Sequence, residues 1–116
     1  MATESSSEQP LVSVLIPVYN AEKYIETALT SITKQSYKNL EILVFNDGSS
    51  DSSIDILRRL AAQDGRIVLH DSSINYGYVR HLNEGLAVAK GKYIARMDAD
   101  DIALPERKRW LFSLEK

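Results

Sequence analysis

Asp98, Asp100 and Asp101 stand together in YIARMDADD, at the end of an apolar segment that contains Tyr93, Ile94, Ala95 and Met97. Crowded carboxylates raise one another's pKa and resist leaving water, so the cluster adds nothing to the stability of the segment carrying it. In an extended chain, residues i and i+2 point the same way, roughly 6–7 Å apart, so Asp98 and Asp100 can face one hard cation together. Mn²⁺ and Mg²⁺ prefer oxygen ligands and are commonly held by one or two carboxylates completed by phosphate oxygens. The small Ala99 leaves the floor between them open. The plainer alternative is a solvated acidic turn ahead of a helix begun by Pro105, whose N-terminal dipole favours negative charge. Three carboxylates in four residues exceed what such a turn requires, which favours the metal site.

Two further polar groups follow apolar runs. After LEILVF come Asn46, Asp47, Gly48 and Ser49. Asp47 can accept hydrogen bonds from a base or sugar, and Gly48 allows close approach of the backbone. The same residues suit an Asx turn that caps the next helix through Ser49, Ser50 or Asp51. After LVSVLIPV come Tyr19 and Asn20, with Pro17 inside the run. The Tyr19 ring suits a flat ligand, or else packs on the following helix with Asn20 as that helix's cap. Arg80 and Arg96 can offset phosphate charge, or are ordinary surface arginines. His70 and His81 have no metal-ligand spacing and read as satisfied or exposed histidines. Trp110 reads as apolar packing, and Arg107, Lys108 and Arg109 as a solvated helix face.

These groups need a scaffold that brings strand ends together. LVSVLIPV is a short, nearly continuous β-branched run suited to a strand buried on both faces, LEILVF (residues 40–45) reads as a second buried strand, and RIVLH (66–70) and KYIARM (92–97) as a third and fourth strand. Between them lie helical stripes: Ile25, Ala28, Leu29 and Ile32; then Ile54, Leu57, Leu60 and Ala61; then Val79, Leu82, Leu86 and Ala89. Gly91 is placed to end the third helix as a C′ glycine. Alternating strands and helices over short connections imply right-handed crossovers and a parallel α/β sheet covered on both faces. In such sheets ligands bind outside the carboxyl ends of the strands. All three polar groups lie there.

Composition bounds the partners. The chain has 116 residues, 44% hydrophobic and 26% charged, with net charge −2 and no cysteine. That suits one globular domain, without a general attraction to nucleic acid or anionic lipid and without disulfides. No apolar run is long enough to span a bilayer. The polar, serine-rich residues 1–10 read as a disordered tail without signal-peptide character, and residues 11–116 as the folded unit. These features place the protein in the cytoplasm, with room for a peripheral position at the inner membrane face. No G-x-G-x-x-G follows a strand, and no P-loop or G-x-S-x-G elbow is present. A phospho-accepting receiver domain would carry its acidic residues after the first and third strands; here they follow the second and fourth.

In order and spacing, VSVLIPVYNAEKYI, EILVFNDGSSD, NYGYVRHLNEGLAVAKGKYIARMDADD and LPER resemble the N-terminal half of family 2 glycosyltransferases, over residues 11 to about 109. The resemblance implies a GT-A (Rossmann-like) α/β/α fold with strand order 3-2-1-4. It also implies inverting transfer from a nucleotide-sugar, most often a UDP-sugar, to a saccharide or lipid-linked acceptor in polysaccharide biosynthesis. Pro17, Tyr19, Asn20, Asp47, Gly48, Arg80 and Asp98 would form the donor pocket, with Asp47 on the base. Asp98-Ala99-Asp100 matches the D-x-D motif, which would place Mn²⁺ or Mg²⁺ on Asp98 and Asp100. Many relatives carry aspartate where this chain has Asn46. The family's general base is expected beyond Lys116, which makes these residues a donor-binding half truncated after the D-x-D strand and one helix. A non-catalytic nucleotide-sugar-binding module or an assembly fragment remains the alternative. The fourth strand would then have an open edge through which copies could associate.

Overall fold

The computed structural model describes residues 10–99 and a strand at 112–115. The elements in chain order are β1 (Val12–Val18), α1 (Ile25–Thr33), β2 (Leu40–Asp47), α2 (Ser53–Gln63), β3 (Ile67–Ser72), α3 (Tyr78–Val88), β4 (Tyr93–Arg96) and β5 (Phe112–Glu115). The sheet runs β3-β2-β1-β4-β5. Its first four strands are parallel, as the alternating pattern requires. β5 joins antiparallel, pairing Tyr93 with Glu115 and Ile94 with Leu114. The expected open edge at β4 is therefore covered, and the self-association drawn from it has no basis there. The anticipated N-terminal tail falls almost wholly outside the described residues. Asp100, Asp101, the Pro105 helix, the Arg107–Arg109 cluster and Trp110 fall wholly outside them.

Strand periodicity sorts the core into two layers. Val12, Val14, Ile16 and Val18 of β1, with Ile42 and Val44 of β2, pack with Ile25, Leu29 and Ile32 of α1 and Leu57 and Leu60 of α2. On the opposite face Leu15, Leu43, Phe45 and Ile94 pack with Ala89, Leu82 and Leu86 under α3. Each fully buried aliphatic or aromatic side chain contributes about 1.5–3 kcal/mol relative to exposure, so a sheet apolar on both faces stays between its helices. α3 packs closely because residue 85 is glycine: a Cβ there would stand 2.9 Å from Leu15 Cδ2 and 3.2 Å from Phe45 Cε2.

Gly91 has a different cause from the expected helix cap. α3 ends at Val88, its cap Ala89 is extended at ψ 136°, and Gly91 does not take positive φ. A Cβ on Gly91 would lie 2.6 Å from both the nitrogen and Oγ of Ser13. Glycine is there so that the chain entering β4 can pass against β1. Buried Ser13 holds that crossing: its hydroxyl donates to Glu41 Oε2 at 2.5 Å and accepts the Gly91 amide at 2.9 Å.

Candidate donor-binding cleft

Pro17 and Tyr19 continue the face of β1 that carries Leu15, Asp47 that of Phe45 in β2, and Arg96 and Asp98 that of Ile94 in β4. All five lie where α3, beginning only at Tyr78, stops covering the sheet. They line a cleft of about 460 Å³ with Asn20, Tyr24, Asn75, Gly77, Tyr78 and Ala99. The predicted Pro17, Tyr19, Asn20, Asp47 and Asp98 are thus brought together at the carboxyl ends of three strands. Tyr19 is 52% exposed, so its ring is open to a ligand rather than packed on α1.

Two loops clasp each other beside the cleft, and the first of them lines it through Asn20 and Ala21. Asn20, in the left-handed region at φ 49°, accepts the Ser50 amide at 2.7 Å and donates its own amide to Ser49 Oγ at 3.0 Å. Its carbonyl oxygen therefore serves the β2–α2 loop and not α1, whose capping position is Tyr24. Glu22 Oε1 accepts the Ser52 amide, and Asp51 Oδ2 accepts the Glu22 amide in return. Asp51 Oδ1 also accepts the Ser53 amide at 2.9 Å, which is the Asx turn anticipated; the capping position of α2 is Ser52, not Asp51, and it makes no side-chain capping bond.

Asp47 is only 4% exposed and heavily engaged. Its Oδ1 accepts the Tyr76 amide and faces His81 Nε2, both at 2.7 Å, while Oδ2 accepts the Gly77 amide at 2.9 Å. Burial alone would push this carboxyl up; the hydrogen bonds from His81, Tyr76 and Gly77 outweigh it and hold it below the ordinary carboxylate value. A carboxylate offers about four acceptor positions, so about one remains, on Oδ2. Sequence reasoning missed His81: buried, stacked on Phe45 at 5.6 Å and with Nδ1 3.0 Å from Glu84 Oε1, it orients Asp47.

Two predicted residues do not line the cleft. Gly48, at φ 68°, passes so close to the next loop that a Cβ would meet Asn75 N at 2.7 Å; it shapes the wall without facing the space. Arg80 lies over the Tyr76 ring at 3.9 Å, with Nε 3.8 Å from Glu84 Oε2, and is turned away. Arg96 lines the cleft instead, donating to Asp98 Oδ1 at 3.1 Å. Behind α3 lies a second cavity of about 590 Å³, lined by His70, Asp71, His81 and Glu84.

A hard divalent cation fits the donor chemistry at Asp98. Among the described residues no three carboxylate or imidazole groups converge as a complete metal site. A cation there would rest on one or two carboxylates and take its remaining oxygens from a ligand, the habit of Mg²⁺ and Mn²⁺.

The family model for glycosyl transferase family 2 matches residues 13–112. The chain belongs to glycosyl transferase family 2. An uncharacterized glycosyltransferase of Haemophilus influenzae is 50% identical over 96 residues, covering 83% of this chain and 30% of that protein. The putative glycosyltransferase EpsH of Bacillus subtilis is 44% identical, covering 85% and 28%. This family 2 chain thus spans about 30% of the length of such relatives. Its fold is the GT-A arrangement. It superposes on S. aureus TarS 1-349 in complex with UDP with a TM-score of 0.75 at 30% identity, over 82% of this chain and 29% of the other. The mannosyltransferase PcManGT from Pyrobaculum calidifontis, in complex with GDP-Man and Mn²⁺, gives a TM-score of 0.75 at 31% identity, over 81% and 28%. Among the described residues no helix is long and apolar enough to cross a membrane.

Proposed function

We propose that the cleft binds the nucleoside diphosphate of a sugar donor, with UDP as the nucleotide, and serves inverting, metal-dependent transfer of the sugar to an acceptor hydroxyl. The observation that carries this reading is the convergence of Tyr19, Asp47 and Asp98 on one cleft at the carboxyl ends of β1, β2 and β4. Tyr19 offers a stacking surface. The one remaining acceptor position of Asp47 suits the single ring N–H of uracil. Guanine presents adjacent ring and amino N–H donors and asks for two acceptors. Gly77 and the Asn20 clasp keep the backbone walls fixed, so the nucleotide meets a preformed surface.

Asp98, with Asp100, would hold Mn²⁺ or Mg²⁺, which when bound supplies positive charge to the departing diphosphate. In an inverting transfer the acceptor oxygen attacks the anomeric carbon as the bond to the diphosphate oxygen breaks, and a general base takes the hydroxyl proton. Asp47, committed to three hydrogen-bond partners and the base, is unsuited to that last role. Calorimetric titration of the chain with UDP, with and without Mn²⁺, tests the reading. Metal-enhanced binding that is lost in Asp100→Ala is expected; a folded chain that binds no UDP under either condition refutes it.

A further inference from the structure

Arg96 occupies an unexpected place for a cation. It sits on the wall of the cleft two residues before Asp98, on the same face of the strand, with its guanidinium 3.1 Å from Asp98 Oδ1 and 5.1 Å from the centre of the Tyr78 ring. Asp98 is the carboxylate on which the proposed metal would rest, and a guanidinium beside it opposes the approach of a divalent cation. We propose that Arg96 is an exchangeable cation of the donor cleft, paired with Asp98 when the cleft is empty and turned onto the donor's diphosphate when donor and metal enter. This rests on the donor-cleft reading above.

Three observations support the exchange. The pair is solvent-exposed, at 45% for Arg96 and 58% for Asp98, and exposed pairs are weakly held and readily broken. Tyr78, exposed at the first turn of α3, offers the guanidinium a second resting surface facing the same cleft. The planar fork of arginine also matches two diphosphate oxygens at once, which a point charge does not. Arg80, by contrast, is committed to Tyr76 and Glu84 outside the cleft, so among the described residues Arg96 is the arginine placed to serve.

Removing Arg96 therefore has two effects of opposite sign. In Arg96→Gln, Mn²⁺ alone binds more tightly, on the order of fivefold, because a like charge is gone from beside its carboxylate. UDP in the presence of saturating Mn²⁺ binds about tenfold more weakly, because a charge-assisted contact to the diphosphate is lost. Arg96→Lys keeps the charge without the fork, so its Mn²⁺ affinity stays near wild type while UDP binding still falls. Mn²⁺ binding is read by electron paramagnetic resonance of the free ion and UDP binding by calorimetry on the full chain. A melting curve checks that each variant is folded. If Arg96→Gln leaves Mn²⁺ affinity unchanged or lowers it, or leaves UDP affinity unchanged, the exchange is refuted while the donor-cleft reading stands. If the wild-type chain binds no UDP, the donor-cleft reading fails and the exchange falls with it.

Discussion

His81→Ala probes the link between the core and the cleft. His81 is 3% exposed, its Nε2 lies 2.7 Å from Asp47 Oδ1, and its ring stacks on Phe45. Truncation removes a hydrogen bond to an ionised acceptor, worth about 1.5–3 kcal/mol, and leaves a ring-sized void beside Phe45. The amides of Tyr76 and Gly77 still bind Asp47, so the loss stays below the roughly 3–5 kcal/mol of a fully orphaned buried charge. A total of about 2–4 kcal/mol follows, which for a domain near this size lowers the melting temperature by roughly 10–20 °C. His81→Gln, whose amide nitrogen reaches about as far as Nε2, recovers a substantial part of the loss. Chemical denaturation of wild type, His81→Ala, Asp47→Asn and the double variant measures the coupling, expected at about 1–3 kcal/mol. A His81→Ala cost below about 1 kcal/mol, or strict additivity in the cycle, would refute the claim that His81 anchors Asp47.

The remaining expectations are more local. Gly91→Ala must push its Cβ into the backbone of Leu11 and Ser13, at 2.8 and 2.6 Å, so it should cost at least about 2 kcal/mol in denaturation; a neutral result would show that the crossing can widen. Asp47 and Asp64 are both held below the ordinary value of 3.8, Asp47 by hydrogen bonds that overcome burial and Asp64 by Arg66. Their folded pKa values lie below the unfolded ones, so their stabilisation is fully present above about pH 4–5 and is lost as pH falls through the folded values. Urea midpoints should therefore drop below about pH 4, and the drop should be smaller in Asp47→Asn. UDP should bind the chain at least about tenfold more tightly than GDP, since Asp47 has one acceptor position left for a base. Equal affinities in a competition titration would count against Asp47 as the base reader.

Much of this was legible in the sequence because it is local. Apolar runs marked four strands, and stripes at helical spacing marked three helices, within a few residues of their observed limits, although Val79, read onto the inner face of the third, is 58% exposed. Tyr19, Asp47 and Asp98 could be singled out, and they do line one cleft, because strand ends in a parallel sheet are a small search space. What escaped depends on contacts between distant parts of the chain. Asn20 looked like a cap for its own helix, yet it serves amides 30 and 31 residues away. Gly91 has the composition of a helix stop, but its reason is β1. Arg80 and Arg96 are equivalent as residue types, and only their surroundings tell them apart: Arg80 on α3 meets Tyr76 and Glu84, while Arg96 at the end of β4 meets Asp98 in the cleft. His81 carried no spacing signal because its partner Asp47 is 34 residues earlier. β5 comes from a segment to which no strand was assigned, and pairing along β4 is not encoded in any local period.

The central claim is that donor and metal meet in the cleft between β1, β2 and β4. It is tested most directly by nuclear magnetic resonance of the isotope-labelled chain during titration with UDP and then with trace Mn²⁺. The account predicts that UDP shifts the amides of Tyr19, Gly77 and Tyr78, and that paramagnetic broadening centres on Asp98 and Ala99. Broadening centred instead on the His70–His81 cavity, or UDP shifts that leave Tyr19 and Gly77 untouched, would contradict it.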